Sequence, residues 1–368
     1  MDVSPAPRVL PVRAGRHVLV VGTAVAVAAL VAYLVVMAPA ARPAQPATAL
    51  PGPTSSPSSV SPGPTPPAGV PEASRTPTLG ISAASIQELD AFIAATGTHP
   101  ELFDVFEHWS ADRPLDPHLA DAVASRGARL SVTWEPWDPT GPRTAQPRYS
   151  LAAIAAGDHD DYIDRYAASV REHGRALTIR LMHEMNGNWY PWGSGVNGNR
   201  DGDYVRAWRH VQGRFAALGV DNVEWLWAPN AVYTGGAPLG PLFPGDDAVD
   251  AVGLSNYNWG ARTHDGHRTE WTDFGSLFDE SIAEVRALTG RPVWVAEVGS
   301  SGSGGSKAAW ITEMMAAVQQ RPDVTGLVWF DHVDTRADVD WRIETEPDAA
   351  AAWGAGARSR MSAADPTG

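Results

Sequence analysis

The chain contains no cysteine. Disulfide frameworks and Cys-based zinc or iron–sulfur sites are therefore excluded, and any folded part has to be held by its core. Basic residues are the minority, 28 Lys and Arg against 42 Asp and Glu. Five basic and two acidic residues precede Leu79, so the remainder carries a formal charge of −17. Such a balance argues against nucleic acid or an anionic polysaccharide as ligand and suits a neutral one. Bulky side chains are scarce from Pro39 to Thr78, where 12 of 40 residues are proline and nearly all others are Ala, Ser, Thr, Gly or Val. A segment of that kind forms no core and is expected to be an extended, semi-rigid tether of up to ~120 Å.

A nearly continuous apolar run, Val18 to Met37, precedes the tether, with Arg8, Arg13 and Arg16 before it. Its length matches a bilayer, and the arginines place the N-terminus inside. The expectation is a signal anchor over residues 1–38, a linker over 39–78, a catalytic domain over 79–354 and a flexible tail over 355–368. The membrane would then be a partner through the N-terminal helix, with the domain outside the cell. Cleavage near Ala40 is the rival, since Ala38-Pro39-Ala40 has small residues at the spacing a signal peptidase prefers.

Beyond Leu79, short apolar or β-branched runs alternate with segments of helical periodicity. Strands are read near Leu79–Ile81, Leu102–Phe106, Arg129–Trp134, Leu177–Met182, Val223–Trp227, Ala251–Leu254, Val293–Ala296 and Gly326–Phe330. Helices are read over Ser85–Ala95, Asp116–Arg126, Asp160–Glu172, Asp203–Leu218, Leu277–Leu288 and Ala308–Gln319. Eight strands alternating with helices over about 280 residues predict an α/β fold, the (β/α)8 TIM barrel. An open doubly wound sheet is the alternative, but no Gly-rich phosphate turn follows the first strand.

In such a barrel, the site lies at the strands' C-terminal ends. Polar or aromatic residues end most of the runs: Trp109, Trp134 with Glu135, His183 with Glu184, Asn230, Tyr257, Glu297, and Asp331 with His332. All 15 tryptophans lie beyond residue 108. Trp208, Trp294 and Trp310 read as core. Of Trp134, Trp137, Trp189, Trp192, Trp227, Trp259 and Trp329 at strand ends, three or four are expected to offer aromatic faces to a sugar.

Glu184 and Glu297 stand 113 positions apart, at the ends of the fourth and seventh strands. Glycosidic cleavage uses two carboxyl groups, one to protonate the leaving oxygen and one to attack or to activate water. His183-Glu184 also begins like a His-Glu-x-x-His zinc motif, but Gly187 occupies the place of the second histidine. Neither a metal nor another cofactor is expected.

From about Leu79 to Glu346 the sequence resembles glycoside hydrolase family 26, which is best known for endo-β-1,4-mannanases and also contains β-glucanases and β-1,3-xylanases. The resemblance is carried mainly by Arg180-Leu-Met-His-Glu-Met-Asn-Gly-Asn-Trp-Tyr-Pro-Trp-Gly193 and by Ala-Glu-Val-Gly around Glu297. It implies Glu184 as acid/base and Glu297 as nucleophile. It further implies His183 as a sugar ligand, Tyr257 as hydrogen-bond donor to the nucleophile, Trp189 and Trp329 beside the cleavage site, and Arg180 beneath it. Trp134 is a further expected substrate contact. The implied protein is a retaining endo-β-glycosidase, monomeric, acting on a neutral β-linked glycan and not on nucleic acid. Mannan is the first substrate; mixed-linkage or β-1,4-glucan is the second, because Thr133-Trp-Glu-Pro-Trp-Asp138 is similar to the glucanase branch. A surface carbohydrate-binding protein that no longer cleaves, and a structural cell-surface domain, are the readings from other classes.

Overall fold

The structure, a computed structural model, describes residues 76–264 and 267–364. The expected transmembrane or signal helix lies outside the described residues, as does the expected linker up to residue 75; Thr78, which the linker was expected to include, already belongs to the first strand. Eight parallel strands close a barrel: β1 (Thr78–Ser82), β2 (Leu102–His108), β3 (Arg129–Glu135), β4 (Leu177–Leu181), β5 (Val223–Trp227), β6 (Ala251–Asn258), β7 (Val293–Ser300) and β8 (Val324–Phe330). Each pairs with its neighbours in sequence, and β8 pairs with β1 through Thr78↔Gly326 to Ser82↔Phe330. The expected eight strands are these eight.

Side chains alternate across each strand, and the two faces differ in chemistry. The inner floor is apolar, packed from Leu102, Leu226, Ala251, Trp294, Ala296 and Val328. Trp294 fills it so closely that a Cβ on Gly326 would sit 2.3 Å from the indole, which is why β8 carries glycine there. Nearer the C-terminal ends the inner face turns polar, with Asp104, Ser131, Thr133, Arg180 and Glu297 all buried. The outer face packs on the helices. Trp134 of β3 stacks on Tyr166 with ring centres 4.5 Å apart.

The helical layer comprises α1 (Ile86–Thr96), α2 (Pro117–Ala124), α3 (Leu151–Ala156), α4 (Asp160–His173), α5 (Asp203–Ala217), α6 (Phe274–Leu288), α7 (Lys307–Gln319) and α8 (Pro347–Ala364). Local sequence sets their ends. Ser85, Asp273 and Ser306 accept N-terminal amides of α1, α6 and α7, and Gly97 and Gly174 take left-handed C-cap conformations after α1 and α4. No helix among the described residues is long and apolar enough to cross a membrane.

Helix α8 corrects the expected boundary at residue 355, because the segment read as a flexible tail is helical as far as Ala364. Ala349, Ala350, Trp353 and Ala357 recur at helical spacing and are buried. Trp353 meets Phe92 of α1 edge-on at 5.6 Å, and Arg360 binds Glu101 and the Pro77 carbonyl. The tail thus seals the seam where the last strand meets the first.

Candidate active site

The β4 strand ends in two residues whose backbone is forced out of the ordinary range: Met182 has φ 47° and Glu184 φ 54°. Left-handed geometry in non-glycine residues is costly and persists only where surrounding contacts impose it. Several contacts do so here. The Glu184 amide donates to Ala228 O at 2.6 Å, beyond the end of β5. The Asn186 side chain donates to Asn230 O and accepts from Asn230 N, both at 2.9 Å. Trp192 Nε1 donates to His183 O at 2.6 Å while its ring stacks on Tyr190. Gly187 has no alternative, since a Cβ there would lie 2.4 Å from the Trp189 ring.

The result aims the Glu184 carboxyl into the mouth of the barrel. Its Oε2 accepts from Trp189 Nε1 at 2.8 Å and its Oε1 from Asn230 Nδ2 at 3.2 Å. Glu297, from β7, receives hydrogen bonds from Arg180 of β4 on Oε1 and from the Tyr257 hydroxyl of β6 on Oε2. Arg180 also donates to Thr133 Oγ1 at 2.9 Å and lies over the Phe106 ring. Asp104 accepts from Ser131 at 2.7 Å and from Thr133, which completes a buried polar layer beneath both glutamates.

The environments of the two carboxyls differ. Glu184 is held by neutral donors, and burial followed by the charge of Glu297 raises it to about 7. Glu297 is ion-paired with an arginine that is 1 % exposed. Burial opposes the charge on Arg180, but Glu297 and Asp104 outweigh it and raise its pKa. Burial keeps the Tyr257 hydroxyl protonated, well above its usual range, so it stays a donor. His183 is held neutral by burial and then by Arg180, and its Nδ1 has no protein partner.

Of the residues expected at the site, Glu184, Glu297, His183, Trp189, Tyr257 and Arg180 come together. Trp134 and Trp329 do not. Thr133 and Glu135 face inward, so Trp134 between them faces out, donating to the Tyr162 hydroxyl at 3.0 Å. Val328 and Phe330 likewise face inward, which sends Trp329 to the helical layer against Trp310 and Trp353. Both indoles are fully buried. Trp208, Trp294 and Trp310 are buried as expected, and Trp227 packs outward on Phe243.

Trp341, which strand reasoning passed over, is the indole packed on the Tyr257 and Trp259 rings, at 5.1 and 5.0 Å. It follows a two-residue hairpin, Val333–Asp334 with Val339–Asp340. Trp341 N donates to His332 O at 2.9 Å, and its own carbonyl accepts from Trp329 Nε1 at 2.9 Å. Lys307, the chain's one lysine, is buried and donates to Asp340 O and Arg342 O on either side, both at 3.0 Å. Asp104 and Phe106 were passed over too; both lie inside β2, which runs on to His108. Among the described residues no group of three His, Asp or Glu is placed to hold a metal ion.

A parallel barrel with two buried glutamates in unlike surroundings, one just past β4 and one within β7, presents the pair of carboxyl groups that glycosidic cleavage uses. The sequence profile of glycosyl hydrolase family 26 matches residues 158–289, which contain Arg180, His183, Glu184 and Tyr257. Endoglucanase H of Acetivibrio thermocellus is 33% identical over 270 residues, covering 72% of this chain and 28% of that protein. A mannan endo-1,4-beta-mannosidase of Bacillus subtilis is 26% identical over 171 residues, covering 44% of this chain and 41% of the relative. The GH26 beta-mannanase BoMan26A of Bacteroides ovatus superposes with a TM-score of 0.56 at 16% identity, over 78% of this chain and 89% of that one, and so shares the fold. The chain belongs to glycosyl hydrolase family 26. It spans less than half the length of each of these two sequence relatives.

Proposed function

We propose that this protein is a retaining endo-β-glycosidase in which Glu184 is the acid/base and Glu297 the nucleophile. The observation that carries the assignment is the contrast between the two carboxyls, one among neutral donors and pushed up to about 7, the other ion-paired with Arg180. In the first step Glu184 gives its proton to the glycosidic oxygen as Glu297 attacks the anomeric carbon, forming a glycosyl-enzyme ester and freeing the leaving sugar. In the second, Glu184 takes a proton from water, whose oxygen displaces Glu297. Tyr257 and Arg180 orient the nucleophile, and His183 and Trp189 contact the sugar at the cleavage point.

Recesses that border Phe106 and Tyr257 support endo action. One of about 720 Å³ reaches Phe106 and His108, and one of about 270 Å³ is lined by Asn230, Tyr257 and Trp259.

The substrate is a neutral β-linked polysaccharide, with β-1,4-mannan the first backbone. The 33% identity to endoglucanase H over 72% of the chain favours a second reading, a β-1,4- or mixed-linkage glucan. Reducing ends released from mannan and from β-glucan decide between them, and proton NMR of the first product checks the stereochemistry. A β product is expected; an initial α anomer would exclude Glu297 as nucleophile.

The apolar run Val18 to Met37, with arginines before it, supports a membrane anchor that leaves the enzyme outside the cell. Membranes of the native host should retain the full-length chain with its barrel open to external protease. A mature N-terminus near Ala41 would replace the anchor with secretion.

A further inference from the structure

A third carboxyl group lies in the same mouth. Glu135 is the last residue of β3 and shares its inner face with Ser131 and Thr133. It is 1 % exposed. Its Oε2 accepts from Trp137 Nε1 at 3.1 Å, whereas Oε1 has no protein partner. Three further buried polar atoms nearby are in the same position: Nδ1 of His183, the hydroxyl of Tyr190 and Nη1 of Arg180. The His183 and Tyr190 rings lie 4.8 Å apart, and Trp137 meets Tyr190 edge-on at 5.4 Å. Buried polar atoms in folded proteins are nearly always hydrogen-bonded, so four orphans clustered towards the C-terminal end of the barrel, beside Glu184 and Glu297, point to a polar ligand that completes them.

We propose that Glu135 acts as a neutral carboxylic acid whose hydroxyl donates a hydrogen bond to the sugar held at the cleavage point, and that with His183 and Tyr190 it reads that sugar's hydroxyl groups. The inference rests on the glycosidase reading of the cleft and adds a binding group to it. A sugar hydroxyl accepts from an O–H donor, while a carboxylate there would bring further negative charge towards Glu297. The groups facing Glu135 are Arg180 on β4, Glu297 on β7, Asp104 on β2, and Tyr190, beyond which lie Arg143 and Glu184. His108 stands opposite it in the β2–β3 register and hydrogen-bonds Ser110. Burial is the largest influence and raises Glu135 to about 8; the Trp137 hydrogen bond and Arg180 oppose it, and Glu297 and Asp104 add to it. The proton is therefore retained at neutral pH and lost at alkaline pH.

The test measures calorimetric affinity for cellotetraose and mannotetraose at pH 6 and pH 9.5, using the full chain with Glu184→Gln to prevent turnover. With Glu135 present, affinity for the better tetrasaccharide should fall about tenfold between the two pH values, the worth of one buried hydrogen bond. Adding Glu135→Gln, which keeps a donor and cannot ionise, should hold affinity level across the range. Adding Glu135→Ala should weaken binding about tenfold at pH 6. A pH slope that survives Glu135→Gln overturns the proposal, as does undiminished binding by Glu135→Ala or failure of both tetrasaccharides to bind. Should Glu135→Ala fail to fold, the near-isosteric Gln variant still decides. Hydrolysis by the chain with Glu184 intact is measured separately, so a binding protein that does not cleave would defeat the hydrolase reading while these affinities still judged Glu135.

Discussion

The inner and outer faces of the barrel use the same kinds of residue for opposite ends. On β3, Trp134 and Glu135 are adjacent, yet one is wedged among Tyr162, Tyr166 and Phe215 in the helical layer and the other sits in the mouth beside Arg180. On β8, Trp329 packs outward while Phe330 faces Tyr257. An aromatic residue at the end of a barrel strand is therefore no guide to the cleft until its face is known. One position along a strand decides whether a side chain stabilises the protein or meets its ligand.

Substitutions on the two faces should separate these roles. The largest effect is expected at the paired carboxyls. Glu297→Gln should lower kcat by at least about 10⁴-fold and Glu184→Ala by about 10²–10⁴-fold, with melting temperatures close to the parent. Glutamine is chosen at 297 because alanine would leave Arg180 buried without a counter-charge, itself destabilising. Near-normal turnover by either variant would remove the assignment.

Next in size is the pair Trp329 and Trp341. Trp329→Ala opens a cavity between β8 and its helices and removes the donor to Trp341 O, and should cost about 3–5 kcal/mol of stability while changing KM less than Trp341→Ala does. Trp341→Ala, beside Tyr257, should raise KM and lower kcat more than it lowers the melting temperature. The reverse pattern in denaturation and kinetics would mean that the two faces have been exchanged.

The smallest effect is that of pH. Because Glu184 is raised to about 7, its proton is present below that value and lost above it. For polymer substrate, kcat/KM should thus fall as pH rises through about 7, approaching tenfold per unit. An aryl glycoside whose leaving group needs no proton should lack that limb, and persistence of the limb would assign it to another group. Stability should move the same way. Asp104, Glu107, Glu135 and Glu184 retain protons up to about 6, 7, 8 and 7, respectively, while the unfolded chain releases them nearer the ordinary carboxyl range. Between those limits the fold binds more protons than the unfolded chain, so the melting temperature should decline from about pH 5 to pH 8.

Much of this was legible in the chain. Alternating apolar runs and helical periods marked all eight barrel strands and six of the eight α-helices among the described residues, since burial on both faces of a parallel barrel leaves a continuous signal. Helix α3 was missed because six residues show little periodicity, and α8 because its alanine-rich stretch looks like a tail until Trp353 meets Phe92. The Arg180 to Gly193 segment is equally readable as a motif, because Gly187, Trp189, Tyr190 and Trp192 are neighbours in sequence, but its strained turn is held in place by Ala228 and Asn230 beyond β5.

Sequence by itself determined the class of fold, brought Glu184 and Glu297 towards the C-terminal ends of their strands, and raised the expectation of a neutral ligand. These follow from periodicity, residue type and net charge, all of which are local or additive. Only the tertiary structure decided which face Trp134 and Trp329 occupy, brought Trp341 from a hairpin to the side of Tyr257, and surrounded the carboxyls so that one is paired with Arg180 and another lacks a partner on Oε1. The reason is physical: orientation and electrostatic environment are set by atoms close in space, contributed here by β2, β3, β4, β6 and β7, and no separation along the chain encodes how a closed barrel brings them together.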